Sequence, residues 1–117
     1  MGFSIARKML SRFTQQDWKK LFNNVSDKSL EYQRKLAYCI ENSGNEYELG
    51  ILLSMVNTND EELFEICVDS LREFIGTDNK QLILKNDILI NQINRLLPSS
   101  SRPTSKMYED FLKKLSD

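Results

Sequence analysis

Six side chains between residues 61 and 73 carry most of the chemistry this sequence can offer: Glu61, Glu62, Glu65, Asp69, Arg72 and Glu73. Four of them, Glu61, Glu65, Asp69 and Glu73, recur every fourth residue, which on a helix stacks like charges into a ridge. Each neighbouring pair costs on the order of 0.2–0.5 kcal/mol, and only acids in the first turn are offset by the positive end of the helix dipole. Asp69 and Glu73 lie beyond that help, and Arg72 is the one cation in reach along the helix. Carboxylates placed this way either remain a solvated face or meet a cationic surface that relieves their repulsion. Proton-transfer chemistry is not expected of them, because carboxylates on a solvated helix keep ordinary pKa values. The chain also has no histidine to activate a hydroxyl or thiol.

The charge is distributed unevenly. Residues 1–40 hold eight Lys or Arg against three Asp or Glu, residues 41–73 one against nine, and residues 74–117 seven against five. A net charge of −1 therefore hides an acidic middle between two basic flanks. Such polarity steers association with a basic partner or neutralises the protein's own flanks.

The ridge needs a helix to hold it, and Asn59 to Gly76 reads as one. Leu63, Ile66, Cys67, Leu71 and Phe74 share a face, widened by Phe64, Val68 and Ile75. Asn59 is placed to cap the first turn, with Glu62 at the capping-box offset, and Gly76 can end the helix in a left-handed conformation. Further helices are predicted near 15–23, 29–42, 46–57, 86–97 and 105–115, with no sheet.

Thr14 with Asp17 and Asn45 with Glu48 are capping-box pairs, and Ser26, Asp27 and Ser29 are candidate caps for the 29–42 helix. That helix should bury Tyr32, Leu36, Cys39 and Ile40 and leave Tyr38 on its polar face as a candidate contact for a partner. Trp18, Leu21 and Phe22 should join the core, and the 46–57 helix, apolar nearly all round, should be central. Residues 79–97 read as one helix or as two broken near Asn86 and Asp87, with Leu82, Leu89, Ile93 and Leu96 on one face. Pro98 to Ser105 reads as an exposed connection, after which Thr104 or Ser105 caps a last helix bearing Met107, Phe111, Leu112 and Leu115.

At 117 residues the chain is expected to be a single all-α domain, 1–117, and a monomer when free. Cys39 and Cys67 fall on apolar faces, where free thiols behave as small hydrophobes. They are not in CxxC spacing, so no metal is expected, and with no Gly-rich phosphate loop or GxSxG motif no cofactor and no enzyme activity is expected either. Residues 3–13 form a basic amphipathic pattern in which Phe3, Ile5, Ala6, Met9, Leu10 and Phe13 alternate with Arg7, Lys8 and Arg12. Membrane contact is the lesser reading of that pattern. No secretory signal pattern and no bilayer-length apolar run is present, which predicts a cytoplasmic protein. Nucleic-acid binding by Arg7, Lys8, Arg12, Lys19 and Lys20 is a rival function. Five cations without interleaved exposed aromatics are a weak footprint for it.

An offset of 31 residues superposes Tyr32 on Leu63, Leu36 on Cys67, Cys39 on Ser70 and Ile40 on Leu71. Within this pattern, LGILLSMVNTNDEELFEICVDSLREFIG resembles a HEAT-type repeat: an apolar first helix, a turn rich in Asn and Asp, then a helix alternating acids and aliphatics. The usual proline of the first helix is lacking. The resemblance implies a short stack of antiparallel helix hairpins whose second helices line one concave side, where the ridge and Tyr38 would meet. An irregular helical bundle is the structural alternative. A small, acidic-faced helical chain of this character also resembles the immunity proteins of bacterial toxin systems, including contact-dependent growth inhibition. That resemblance implies a basic protein partner, a cognate toxin domain of nuclease type. The alternative is an adaptor or regulator of another cellular protein.

Overall fold

The computed structural model describes the backbone of residues 2–76 and 78–117, and the side chains of those spans from Ala6 onward. Among the described residues eight α-helices follow one another: α1 (Gly2–Ser11), α2 (Gln15–Asn24), α3 (Leu30–Cys39), α4 (Glu46–Met55), α5 (Glu61–Leu71), α6 (Lys80–Leu84), α7 (Asp87–Leu96) and α8 (Arg102–Ser116). Short 3-10 turns extend α2, α5 and α7, and no strand occurs among the described residues. The all-α architecture predicted from periodicity is the one observed. Phe3 and Ile5, counted on the apolar face of the first helix, have side chains outside the described residues.

Local capping explains where the helices begin. Thr14 Oγ1 accepts from the Asp17 N–H at 3.1 Å while Asp17 Oδ2 accepts from the Thr14 N–H at 2.9 Å, a closed capping box. The Thr14 N–H first, and then the Thr14 side chain, hold the Asp17 carboxyl below its ordinary range. At α4, Asn45 Oδ1 accepts from the Tyr47 N–H at 2.8 Å and Glu48 Oε1 accepts from the Asn45 N–H at 3.1 Å. Ser29 Oγ caps α3 at Tyr32, and Asp60 Oδ2 caps α5 at Leu63.

These caps repeat. Thr14 and Asp17 stand 31 residues before Asn45 and Glu48, and Ser29 stands 31 before Asp60. Buried positions follow the same offset: Trp18, Leu21, Val25, Gln33, Leu36, Ala37 and Ile40 match Leu49, Leu52, Val56, Phe64, Cys67, Val68 and Leu71. Thus α2–α3 and α4–α5 are two copies of one helix pair. They pack as stacked copies would, with α2 beside α4 and α3 beside α5, while α1 adds to the other flank of α3. After α5 the repeat stops, since α6 is a single short turn and α8 packs across α5.

The core is one continuous cluster to which α4 gives Ile51, Leu52, Met55 and Val56, and α5 gives Leu63, Phe64, Cys67, Val68 and Leu71. Both cysteines are buried. α8 closes the cluster with Tyr108, Phe111 and Leu115, the Tyr108 ring lying 6.1 Å from that of Phe64.

Several predicted details are corrected. The α5 cap is Asp60, not Asn59, and Glu62 pairs with Arg34 at 3.3 Å instead of closing a capping box. Gly76 does not take the left-handed form; only Gly44 has a positive φ among the described residues, and α5 instead runs out through a 3-10 turn at Arg72–Phe74. The last helix starts earlier, at Arg102, because Pro103 occupies its first turn, where a missing N–H costs nothing. Neither Thr104 nor Ser105 is its cap. Tyr32, Phe22 and Leu82 are exposed, and Gln33, Ala37 and Ile83 fill the core beside their helices' other apolar residues. Of the two readings for the segment after Gly76, the structure bears out the pair broken near Asn86 and Asp87, α6 and α7.

Candidate functional site

The outward face of α5 forms the floor of an open groove of about 810 Å3. Glu65, Ile66, Asp69 and Ser70 line the floor, with Glu73 from the following turn. Tyr38, Ile40, Glu41 and Asn42, at the end of α3 and just beyond it, make one wall, and Arg7 of α1 leans over it. Pro103, Thr104 and Met107 of α8 make the other.

Polar ties fix both walls to the floor. On the α3 side, Arg34 donates to Asp60 through Nε at 3.0 Å and Nη2 at 2.7 Å, a forked pair that sets the start of α5 against α3. The Arg34 donors, and then the Leu63 N–H, hold the Asp60 carboxyl below the usual range. Further along, Ser70 Oγ donates to the Ala37 carbonyl at 2.6 Å and Asn42 Nδ2 to the Glu73 carbonyl at 3.1 Å. On the α8 side, Thr104 Oγ1 donates to Glu65 Oε1 at 2.6 Å. Beneath it, burial pushes the Tyr108 hydroxyl up to about 12, with the Glu65 and Glu61 charges adding to the effect.

The groove is strongly acidic. Glu41, Glu65, Asp69 and Glu73 face it against the single guanidinium of Arg7. Asp69 also meets Arg72 Nη1 at 2.9 Å, a pair open to solvent and therefore weak. Tyr38 is half exposed, with the Arg7 Cζ 5.4 Å from its ring centroid. Carboxylates and an aromatic face are groups that attract cations. Among the described residues, no group of three or more Cys, Asp or Glu side chains is placed to hold a metal ion. No helix there is long and apolar enough to cross a membrane.

Of the residues singled out in the sequence, Glu65, Asp69, Glu73 and Tyr38 come together. Glu61, Glu62 and Arg72 do not line the groove: Glu61 is exposed on the first turn of α5, Glu62 turns to Arg34, and Arg72 reaches it only through Asp69. Arg7, Glu41, Thr104 and Met107 were not singled out as lining this site. Arg7 had been counted with a basic N-terminal patch, whereas the fold sets it against Glu41 and Tyr38. The position of Thr104 depends on the packing of α8, which no local pattern announces. No protein-family model, curated protein or solved structure matches the chain.

Proposed function

We propose that this chain is a binding protein, not an enzyme, and that it acts as an immunity protein: it neutralises a toxin domain, of nuclease type, by taking the toxin's basic surface into the acidic groove. The observation that carries the reading is the convergence of Glu41, Glu65, Asp69, Glu73 and the half-exposed Tyr38 on one groove. A nuclease must hold substrate phosphates with cations, so a surface that covers those cations removes activity without touching the catalytic chemistry. Long-range attraction from the carboxylates speeds encounter, and Tyr38 supplies an amphipathic contact area of the kind enriched at binding hot spots. In this reading the free protein is a cytoplasmic monomer and the complex is a heterodimer. An adaptor for another basic protein would use the same groove, so the two differ in partner and not in surface.

The test is co-production with the toxin domain encoded by the adjacent gene, scored by growth protection and by calorimetric affinity. Asp69→Lys combined with Glu73→Lys removes two exposed acids without breaking a tie between α5 and its neighbours. The expected result is loss of protection and a fall in affinity of about tenfold or more, with steep salt dependence in the wild type. Full protection by the folded double variant would overturn the proposal.

A further inference from the structure

One guanidinium already sits at the acidic groove, and it belongs to the chain itself. Arg7 lies over the Tyr38 ring, 5.4 Å from its centroid, with Nε 3.5 Å from Glu41 Oε1. The Arg7 and Glu41 side chains are 46% and 68% exposed, so both contacts are solvated and individually weak. They are also chemically selective. A planar guanidinium can stack on an aromatic face while its edge meets a carboxylate, whereas an ammonium offers only a point charge. Three more carboxylates, Glu65, Asp69 and Glu73, face the same groove, so its charge is far from neutralised by Arg7.

We propose that Arg7 is an internal placeholder. The natural occupant of the position over Tyr38 and against Glu41 is an arginine side chain of the partner protein, which displaces Arg7 when the groove is filled. The proposal rests on the groove being the binding surface and adds both the identity of the side chain recognised and a self-competition that weakens binding. Because Arg7 is tethered through α1, its effective concentration at the groove is high even though its contacts are weak. A competent groove is therefore only fractionally vacant, and apparent affinity is reduced by that fraction.

Hexaarginine and hexalysine peptides, each titrated at low salt against the wild-type chain, Arg7→Gln, Arg7→Lys and Tyr38→Leu, separate the possibilities. Melting temperatures verify that every variant remains folded. Arg7→Gln is expected to raise hexaarginine affinity by about two- to fivefold, the range for releasing one exposed cation–π contact. Arg7→Lys should give a smaller rise. Hexaarginine should outbind hexalysine in the wild type, and Tyr38→Leu should remove that preference while salt-dependent binding persists. In nuclear magnetic resonance spectra, the Tyr38 ring signals should move in Arg7→Gln and move back on adding N-acetylarginine amide. If both peptides bind equally and Arg7→Gln leaves affinity unchanged or lower, the placeholder is overturned and the acidic groove stands. If neither peptide binds any variant, the groove reading falls and the placeholder with it.

Discussion

Reversing the charge of Asp69 should leave the free domain at least as stable as the wild type, whereas reversing Glu65 should destabilise it once salt screens the surface charges, although both belong to the same acidic row. Asp69 is 63% exposed and pairs with Arg72, three residues on. Changing it to Lys turns its repulsion with Glu65 into the favourable Glu-to-Lys order at i, i+4, a swing of about 0.4–1 kcal/mol. The loss of the Arg72 pair and the new Lys–Arg repulsion cost about as much again. What remains is the interaction of a cation with the negative end of α5, about 0.3–1 kcal/mol, so the melting temperature should rise by roughly 0–5 °C. Glu73 enters this arithmetic little, because it lies in the 3-10 turn beyond the α-helix, where the i, i+4 neighbour relation no longer holds.

Glu65 is different because it is half-buried and accepts the Thr104 hydroxyl at 2.6 Å, tying α5 to α8. A hydrogen bond to a charged group is worth roughly 1.5–3 kcal/mol, and partial exposure places this one near the lower figure. Glu65→Lys also turns the repulsions with Glu61 and Asp69 into attractions, a gain of about 0.8–2 kcal/mol that offsets this loss at low salt, so it should melt about 5–8 °C lower only where salt screens that gain. Thermal unfolding followed by far-ultraviolet circular dichroism at about 0.05 M and about 0.5 M salt distinguishes the two, since screening erases the Asp69 effect and uncovers the loss of the Glu65 hydrogen bond. If Asp69→Lys destabilises as much as Glu65→Lys at about 0.5 M salt, Asp69 supports the fold and the account of a repelling, partner-ready row fails.

Asp60→Asn keeps a capping side chain and removes the charge facing Arg34, whereas Asp60→Ala also loses the cap, a further cost of about 1 kcal/mol. Because Arg34 holds the Asp60 carboxyl below its ordinary range, the associated stability is complete above the unfolded pKa, about 3.9, and is lost as pH falls through the folded value. The deficit of Asp60→Asn, measured by urea unfolding, should be constant above about pH 5 and close below about pH 4; a deficit unchanged there would remove the ion pair as its cause. Glu48 is 2% exposed, and its Oε1 also accepts from the Ser43 N–H at 3.1 Å and hydroxyl at 2.8 Å. Glu48→Ala should cost about 2–4 kcal/mol in the same assay and Glu48→Gln clearly less, since only Gln leaves an acceptor for those donors. Burial pushes the Cys67 thiol up to about 12, so its thiolate fraction near pH 8 is on the order of one in ten thousand. An aromatic disulfide reagent should modify Cys67 only as fast as the domain unfolds, and rapid labelling of the native state would contradict that burial.

The sequence showed helices best where the determinants are local. Thr14 with Asp17 and Asn45 with Glu48 announced two helix starts, and both boxes are closed in the structure. Asn59 and Asp60 were equally competent caps by type. The choice fell to Asp60, whose carboxylate also meets Arg34, 26 residues away in the chain. Proline misled at Pro103, because a residue barred from helix interiors is welcome in the first turn, and what read as connection is the start of α8. Tyr32 and Leu82 were assigned to the core from periodicity alone, which marks an apolar stripe but not which part of it a neighbour covers. For the groove, Glu65, Asp69, Glu73 and Tyr38 were legible as an acidic row and an exposed aromatic. Arg7 and Thr104 join them only through the tertiary packing of α1 and α8.

The duplicated helix pair bears on whether the acidic row is incidental to the scaffold. At the 31-residue offset, Glu61, Glu65, Asp69 and Glu73 of the second copy correspond to Leu30, Arg34, Tyr38 and Asn42 of the first. Seven buried positions of the two copies coincide, so much of the scaffold is shared, yet the first copy builds it without an acid at any of these four places. Like charges in such a row work against the helix that carries them. Within the chain the row is offset at Glu65 by Thr104 and at Asp69 by Arg72, while at the adjacent wall Arg7 attends Glu41. Burial and helix formation thus account for the scaffold of the second copy but not for the acids on its outer face. A cationic ligand accounts for them directly, because binding it converts the repulsion along α5 into part of the binding free energy. Tyr38 then stands beside Asp69 on neighbouring helices because the two residues occupy the same position in successive copies.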